Sequence, residues 1–283
     1  MVTLVTATSE CFAAIRRSCK VLGALSILLV CGPVFGQNAA IKPLPQAHAH
    51  NDYEHARPLF DALSQGFTNI EADVYLVDGQ LLVAHDRDQV SSQRTLEGLY
   101  LQPLSRIVSA NGGKVYPSGE AVTLLIDIKR DGKAAYQALH DLLRKYESIV
   151  SVTCDEVFTP KAITVVVSGD RPFASIVESN PRYVGIDGRL SDLESDRTPA
   201  LMPWISDNWT LHFQYRGIGE MSPKERQKLK EIVTKAHQKK RRVRFWATPE
   251  LETVWQELTS ADVDLIGTDQ LAKLGRFLGQ QSN

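Results

Sequence analysis

Cysteine is scarce in this chain. Of the four cysteines in 283 residues, Cys11, Cys19 and Cys31 fall in the first 36, which leaves Cys154 alone in the remainder. One thiol cannot close an internal disulfide, so stability has to come from a packed core. The stretch Val152-Thr153-Cys154-Asp155 has no histidine motif beside it, which argues against a nucleophilic cysteine. An excess of one charge is also lacking. The 32 Lys and Arg against 33 Asp and Glu give a formal charge of −1, which excludes the broad basic field that nucleic-acid binding uses. The densest basic stretch, KERQKLKEIVTKAHQKKRRVR (224–244), carries Leu229, Ile232, Val233 and Ala236 at helical spacing. It reads as a helix with one buried stripe and a solvated face rather than as a lipid-binding patch. Composition is that of an ordinary globular protein, 43% hydrophobic and 23% charged, with no low-complexity signature.

The N-terminal run VLGALSILLVCGPVFG (21–36) has no charge and follows Arg16, Arg17 and Lys20. Sixteen residues interrupted by Gly32-Pro33 are short for a bilayer span. The pattern predicts a signal peptide over 1–36, cleaved near Gly36/Gln37, and an exported protein of the periplasm or exterior. A membrane anchor, or lipidation at Cys31, is the weaker alternative. The remaining residues 37–283 carry 29 Lys and Arg against 32 Asp and Glu, and their length suits a single (β/α)₈ barrel domain.

From residue 44 onward, short β-rich runs alternate with segments of helical period, as repeated βα units around a parallel sheet require. Eight strands are expected, at 45–50, 68–76, 122–129, 162–169, 182–188, 201–206, 241–248 and 263–269. A ninth, LLVAHD (81–86), follows the second through Asp78-Gly79, a strong hairpin signal. Helices are expected around Leu59–Leu63, Leu139–Tyr146 and Leu229–Ala236, from Pro249 through Leu258, and over 269–279. Residues 87–121 read as one long irregular excursion. The fold class is therefore α/β, a single TIM barrel with an extra hairpin strand. In such barrels the site lies at the C-terminal ends of the strands.

Polar residues recur at those ends. Glu71 and Asp73 are i,i+2 on a strand and point to one face, where two carboxylates repel unless a cation lies between them. Asp127 on the next strand completes an oxygen-rich set suited to Mg²⁺ or Ca²⁺. The alternative is pairing with an interior cation such as Lys129. Lys129 itself suits an anionic substrate or the charge that develops on it. His85 ends the extra strand, and HAHNDYEH (48–55) holds His48, His50 and His55. Two histidines supply an acid and a base near neutral pH. His55 begins the first helix and drops out. Strand alternation puts His48 and His50 on one face, so periodicity does not choose between them.

In this order, a strand-end HN, then E-x-D, then His85, then Asp127-Ile128-Lys129, the residues over 46–129 resemble the PI-PLC-like phosphodiesterase superfamily. That group includes glycerophosphodiester phosphodiesterases, phosphatidylinositol-specific phospholipases C and sphingomyelinase D-type enzymes. Arg244-Phe245-Trp246-Ala247-Thr248 and Ile266-Gly267-Thr268-Asp269 look like the group's last two strand ends. The chain departs from the glycerophosphodiesterase pattern, with AHAHND for HRG, Arg57-Pro58-Leu59 for a PENT-like segment, and Asp127 for the Glu of E-L-K. It looks most like a branch of the superfamily found in bacteria and fungi. The resemblance implies a TIM barrel and one divalent cation, Mg²⁺ or Ca²⁺, held by Glu71, Asp73 and Asp127 with the carbonyl of Asn51. It implies His50 and His85 as the acid–base pair, Lys129 as the phosphate contact and Trp246 against the substrate's organic portion. It further implies cleavage of a small-molecule or lipid phosphodiester by the substrate's own adjacent hydroxyl, through a cyclic phosphate that water then opens. His48 stays as a second acid–base candidate or substrate contact. The protein is expected to be a monomer, with at most transient contact to a membrane surface.

Two other readings compete. His-x-His at the end of strand one is a zinc-amidohydrolase signature. That reading needs histidines at the fifth and sixth strand ends, where Gly185-Ile186-Asp187 and Ile205-Ser206-Asp207-Asn208 stand. A non-catalytic barrel binding phospho-ligands is the other.

Overall fold

A computed structural model describes residues 41–281. Its main sheet holds β1 (Leu44–Ala49), β2 (Phe67–Val77), β3 (Val122–Ile128), β4 (Ile163–Gly169), β5 (Val184–Gly188), β6 (Trp204–Asn208), β7 (Arg242–Trp246) and β8 (Leu265–Thr268). Each is parallel to its neighbour, and β1 pairs with both β8 and β2, so the eight strands close into a barrel. Gln80–Val83 lies outside the ring, antiparallel to β2 across the Asp78-Gly79 turn, where both residues take positive φ. A short ribbon, Val152–Cys154 with Val157–Thr159, forms a second sheet that the hydrophobic pattern did not suggest.

The strands are apolar on both faces because each is covered twice. Their outward residues, such as Leu124, Ile126, Val165 and Val167, pack in one large cluster with helix residues Leu139, Leu229 and Trp255. The inward residues Leu125, Val166, Trp204 and Leu265 form a separate small cluster. By alternation, the next inward residues toward the C-terminal ends are Asp127, Ser168, Ser206 and Gly267. The barrel interior is thus a thin apolar plug with a polar layer above it.

The expected helices occur at Phe60–Ser64, Gly132–Arg144, Pro223–Gln238, Glu252–Ser260 and Leu271–Gln281. Ser222 caps the third by accepting from Glu225 N at 3.3 Å. Two expectations are corrected. The helix after β7 starts at Glu252 rather than Pro249, because the Glu250 carboxylate is drawn to β8, accepting from Thr268 Oγ1 at 3.0 Å and Asp269 N at 2.6 Å. Residues 87–121 are not irregular throughout: a wide π-type turn at Glu97–Leu101 leads into a helix over Gln102–Ala110. It buries Leu96, Tyr100, Leu101, Leu104 and Val108, an apolar stripe that Pro103 disguised by sitting in the helix's first turn. Among the described residues no helix is long and apolar enough to cross a membrane.

Candidate active site

The strand register brings the acids together. Asp73 on β2 lies opposite Asp127 on β3, and Glu71 points the same way two residues earlier. One oxygen from each of Glu71, Asp73 and Asp127 lies within 4.8 Å of the others, the one such convergence of three or more His, Cys, Asp or Glu side chains among the described residues. Lys129 Nζ sits 2.8 Å from Asp73 Oδ2 and 3.7 Å from Asp127 Oδ1. Burial, and then the Glu71 charge, raise the Asp73 pKa despite Lys129. Burial pushes Asp127 up to about 6, with Lys129 pulling the other way and Asp73 and Glu71 adding to the rise. Burial alone would lower the Lys129 pKa, but Asp127 and Asp73 outweigh it and raise it.

The trio has the features of a cation site. Asp73 Oδ1 is buried with no hydrogen-bond partner. Beside Asp127, Gly169 (φ +71°) leaves space that a Cβ would fill by overlapping Asp127 Oδ1. Hard oxygen donors at this spacing suit Mg²⁺ or Ca²⁺ rather than a soft metal.

Tyr53 links the acids to the rest of the mouth. Its hydroxyl lies 2.5 Å from Asp73 Oδ2, 2.8 Å from Asn51 Oδ1 and 3.1 Å from His85 Nδ1. Burial and the Asp73 charge push the phenol pKa far up, so it keeps its proton. One proton cannot serve two oxygen acceptors. The charged, closer Asp73 takes it, and the Asn51 carbonyl keeps a free lone pair beside the trio. Asn51 reaches this place from a left-handed backbone (φ 46°), and its Nδ2 donates to Asp269 Oδ1 at 3.3 Å. His85 Nδ1 is also 3.2 Å from Asp73 Oδ2, and the side chain is half exposed.

His50 and His48 part company. His50 Nδ1 meets Asp269 Oδ1 at 2.8 Å, at the rim, with 35% of the side chain exposed. Burial lowers its pKa, but the Asp269 hydrogen bond and the Glu71 and Asp269 charges outweigh this and the net shift is upward. His48 is fully buried. Its Nε2 is 2.8 Å from both Glu71 Oε2 and Arg244 Nη1, and Arg244 Nη1 donates to Glu71 Oε2 at 2.7 Å, closing a triangle. Burial, then the Arg244 cation, push the His48 pKa down to about 4. Burial would raise Glu71, but Arg244 and His48 hold it well below the usual carboxylate range. The two histidines therefore do not turn toward a common metal position.

The polar layer continues around the barrel. Asp187, fully buried on β5, accepts from Ser168 Oγ at 2.9 Å, from Ser206 Oγ, and from Arg189 Nη1 at 2.9 Å. The Arg189 guanidinium lies 4.8 Å from the ring centre of Trp246, and that of Arg244 lies 6.0 Å away. The Trp246 face that the resemblance reserved for an organic group is thus already stacked by a cation. Tyr53, Asp269, Arg189 and Arg244 were not picked out as site residues from sequence. A signal for Arg244 existed, since it alternates with Arg242 and Trp246 on β7 and so had to face inward.

A family model described as the AIM6-like phosphodiesterase domain matches residues 37–187, more than half of the chain. The chain belongs to that family. The matched region contains the Glu71, Asp73, Asp127, His50 and His85 positions. Arg244, Trp246 and Asp269 lie beyond it. An altered inheritance of mitochondria protein 6 homolog from Arthroderma benhamiae is 28% identical over 266 residues, covering 82% of this chain and 82% of that protein. Altered inheritance of mitochondria protein 6 from Eremothecium gossypii is 29% identical over 289 residues, covering 87% and 74%. A crystal structure of a glycerophosphodiester phosphodiesterase from Parabacteroides distasonis matches with a TM-score of 0.51 at 13% identity, covering 86% of this chain and 100% of that one. At that identity the likeness concerns the TIM-barrel fold, and the fold agrees with the closed barrel described above. The relatives also correct one expectation. They are fungal proteins whose names refer to mitochondria and not to the periplasm or exterior, so export is withdrawn. Residues 1–36, on which export rested, lie outside the described residues.

Proposed function

We propose that this AIM6-like phosphodiesterase domain is a divalent-metal-dependent enzyme that cleaves a glycerophosphodiester or phospholipid headgroup diester by His50/His85 acid–base catalysis. The observation that carries the reading is the convergence of Glu71, Asp73 and Asp127 oxygens within 4.8 Å, beside two solvent-reaching histidines, His85 bonded to Asp73 and His50 bonded to Asp269. Glu71, Asp73 and Asp127, with the Asn51 carbonyl, would hold Mg²⁺ or Ca²⁺. Such an ion, when bound, supplies charge neutralisation at the phosphoryl oxygens.

The protein's own groups divide the rest. Asp269 holds a proton on His50 Nδ1, which leaves the lone pair on Nε2. His85 is oriented the same way, with Nδ1 against Asp73 and Tyr53 and the rest of the ring toward solvent. One ring takes the proton of the substrate hydroxyl next to the diester as its oxygen attacks phosphorus. The P–O bond to the leaving group breaks, and the other ring, which enters as the imidazolium with a second proton on Nε2, gives that proton to the departing oxygen. The product is a cyclic phosphate, which water opens with the roles exchanged. Lys129 contributes a fixed cation for a phosphoryl oxygen. His48 is set apart from proton transfer by its burial and lowered pKa, and serves to position Glu71. Residues 37–283 act as one domain, a monomer on a small-molecule or lipid diester.

The test is a metal-supplemented screen of glycerophosphodiesters, lysophospholipids, phosphatidylinositol and sphingomyelin, with and without chelator. Turnover that requires the divalent ion and is lost in His50→Ala and Glu71→Ala supports the reading. Variants that match the parent on every substrate turned over overturn it. Binding without turnover returns the non-catalytic barrel.

A further inference from the structure

Two arginines at one end of the mouth both bond to Asp187. Arg189, just past β5, spends its guanidinium on Asp187 Oδ2 at 2.9 Å, on the Asp187 and Gly188 carbonyls at 3.1 and 3.0 Å, and on Ser168 Oγ at 3.2 Å. Arg171, two residues past β4, donates through Nη1 to the main-chain oxygen of Asp187 and forms no ion pair among the described residues. The Asp187 carboxylate is turned to other donors, Oδ1 accepting from Ser206 and Oδ2 from Ser168 and Arg189. Each guanidinium has five N–H donors, and a half-buried cation that no carboxylate hydrogen-bonds keeps donors for an arriving anion. The two cations are also close enough that burial and the Arg189 charge lower the Arg171 pKa, although the Asp187, Asp192 and Asp127 charges pull the other way.

Trp246 extends the same wall. An aromatic face left open beside a phosphodiester site would suit a quaternary ammonium group. Here Arg189 stacks on that ring at 4.8 Å and Arg244 lies 6.0 Å away. A choline arm would meet cations where it needs an open ring. From this juxtaposition we infer that the Arg171–Arg189 wall is a subsite for a second anionic group on the substrate, a carboxylate or phosphate on the arm beyond the scissile phosphodiester, and that it rejects cationic headgroups. The inference rests on the diesterase reading and names the substrate class it acts on.

The experiment uses the full chain with Mg²⁺ or Ca²⁺ and four probes that share the glycerol arm. These are glycerophosphomethanol, glycerophosphocholine, glycerophosphoglycerate (a carboxylate) and glycerophosphoglycerol phosphate (a second phosphate). Affinity by calorimetry is measured beside turnover. A charged hydrogen bond of the usual strength predicts that one or both anionic probes bind roughly ten- to a hundredfold more tightly than glycerophosphocholine. Arg171→Met removes most of that preference and leaves glycerophosphomethanol unchanged, while Arg171→Lys keeps part of it. The two anionic probes distinguish carboxylate from phosphate. Glycerophosphocholine binding as well as either anionic probe, or Arg171→Met weakening all four equally, overturns the inference. Absence of turnover with the affinity ranking intact counts against the diesterase reading and leaves the anion subsite standing.

Discussion

Asp127 gives the sharpest quantitative expectation. Its carboxyl is largely buried, and burial raises its pKa from 3.8 to about 6 in the ion-free protein. The sign follows from linkage. Asp127 favours the fold most when protonated, below the unfolded value of 3.8, and this contribution is lost as pH rises through about 6. At pH 7 the ion-free protein therefore holds an ionised Asp127 at a cost of about 3 kcal/mol, a debt that a divalent cation relieves. A ligating carboxylate must be deprotonated. A site that includes Asp127 should thus bind Mg²⁺ or Ca²⁺ roughly tenfold more weakly at pH 5 than at pH 7, and binding at pH 6 should release about half a proton from this group. Isothermal calorimetry in two buffers of different ionisation enthalpy reads both quantities. Asp127→Asn should weaken binding and remove the proton released by this residue. Equal affinities at pH 5 and pH 7, with no proton released, would show that Asp127 is not a ligand.

Three further expectations follow from the site. Asp269→Asn removes the hydrogen bond that most strongly raises the His50 pKa, so the acid limb of kcat/KM for a diester should move to lower pH while the rate falls on the order of ten- to a hundredfold; an unmoved limb argues against His50 as the base. Arg244→Met strands the buried Glu71 carboxylate and should cost about 3–5 kcal/mol in urea unfolding, with part recovered in the Arg244→Met/Glu71→Gln double variant. His48, with its folded pKa near 4 against 6.5 unfolded, contributes stability that is present above 6.5 and lost as pH falls toward 4, about 3 kcal/mol in all. Asp52, raised to about 6, and Asp127 act in the opposite sense, so the comparison is between parent and His48→Gln at pH 7 and pH 4.5, where the variant should show the smaller acid loss.

Short-range pattern made the barrel and the acidic trio legible. Eight apolar runs separated by helical stripes require a parallel sheet wrapped in helices, and Glu71 and Asp73 had to share a face because strands alternate. What stayed hidden depends on partners far along the chain. Glu71 and Arg244 meet across 173 residues and His50 and Asp269 across 219, so neither pairing has a local signature. The same distance explains why HAHNDYEH left His48 and His50 equivalent. Periodicity gave both one face, whereas Arg244 draws His48 inward and Asp269 holds His50 at the rim. The surroundings of Trp246 were hidden for a related reason, since Arg189, which stacks on its ring, belongs to another strand end. The helix at Gln102–Ala110 did carry a local signal, the stripe from Leu96 to Val108, which Pro103 interrupted on paper but not in the fold.

The most direct measurement is a ³¹P NMR time course of a glycerophosphodiester with the parent protein and divalent cation, repeated with His50→Ala. The predicted result is loss of the diester resonance in the parent alone, replaced by a cyclic phosphate or a phosphomonoester, and no change once chelator is added. A diester that persists with every divalent cation, or that disappears equally fast with His50→Ala, would contradict a metal-assisted diesterase centred on His50 and the Glu71–Asp73–Asp127 trio.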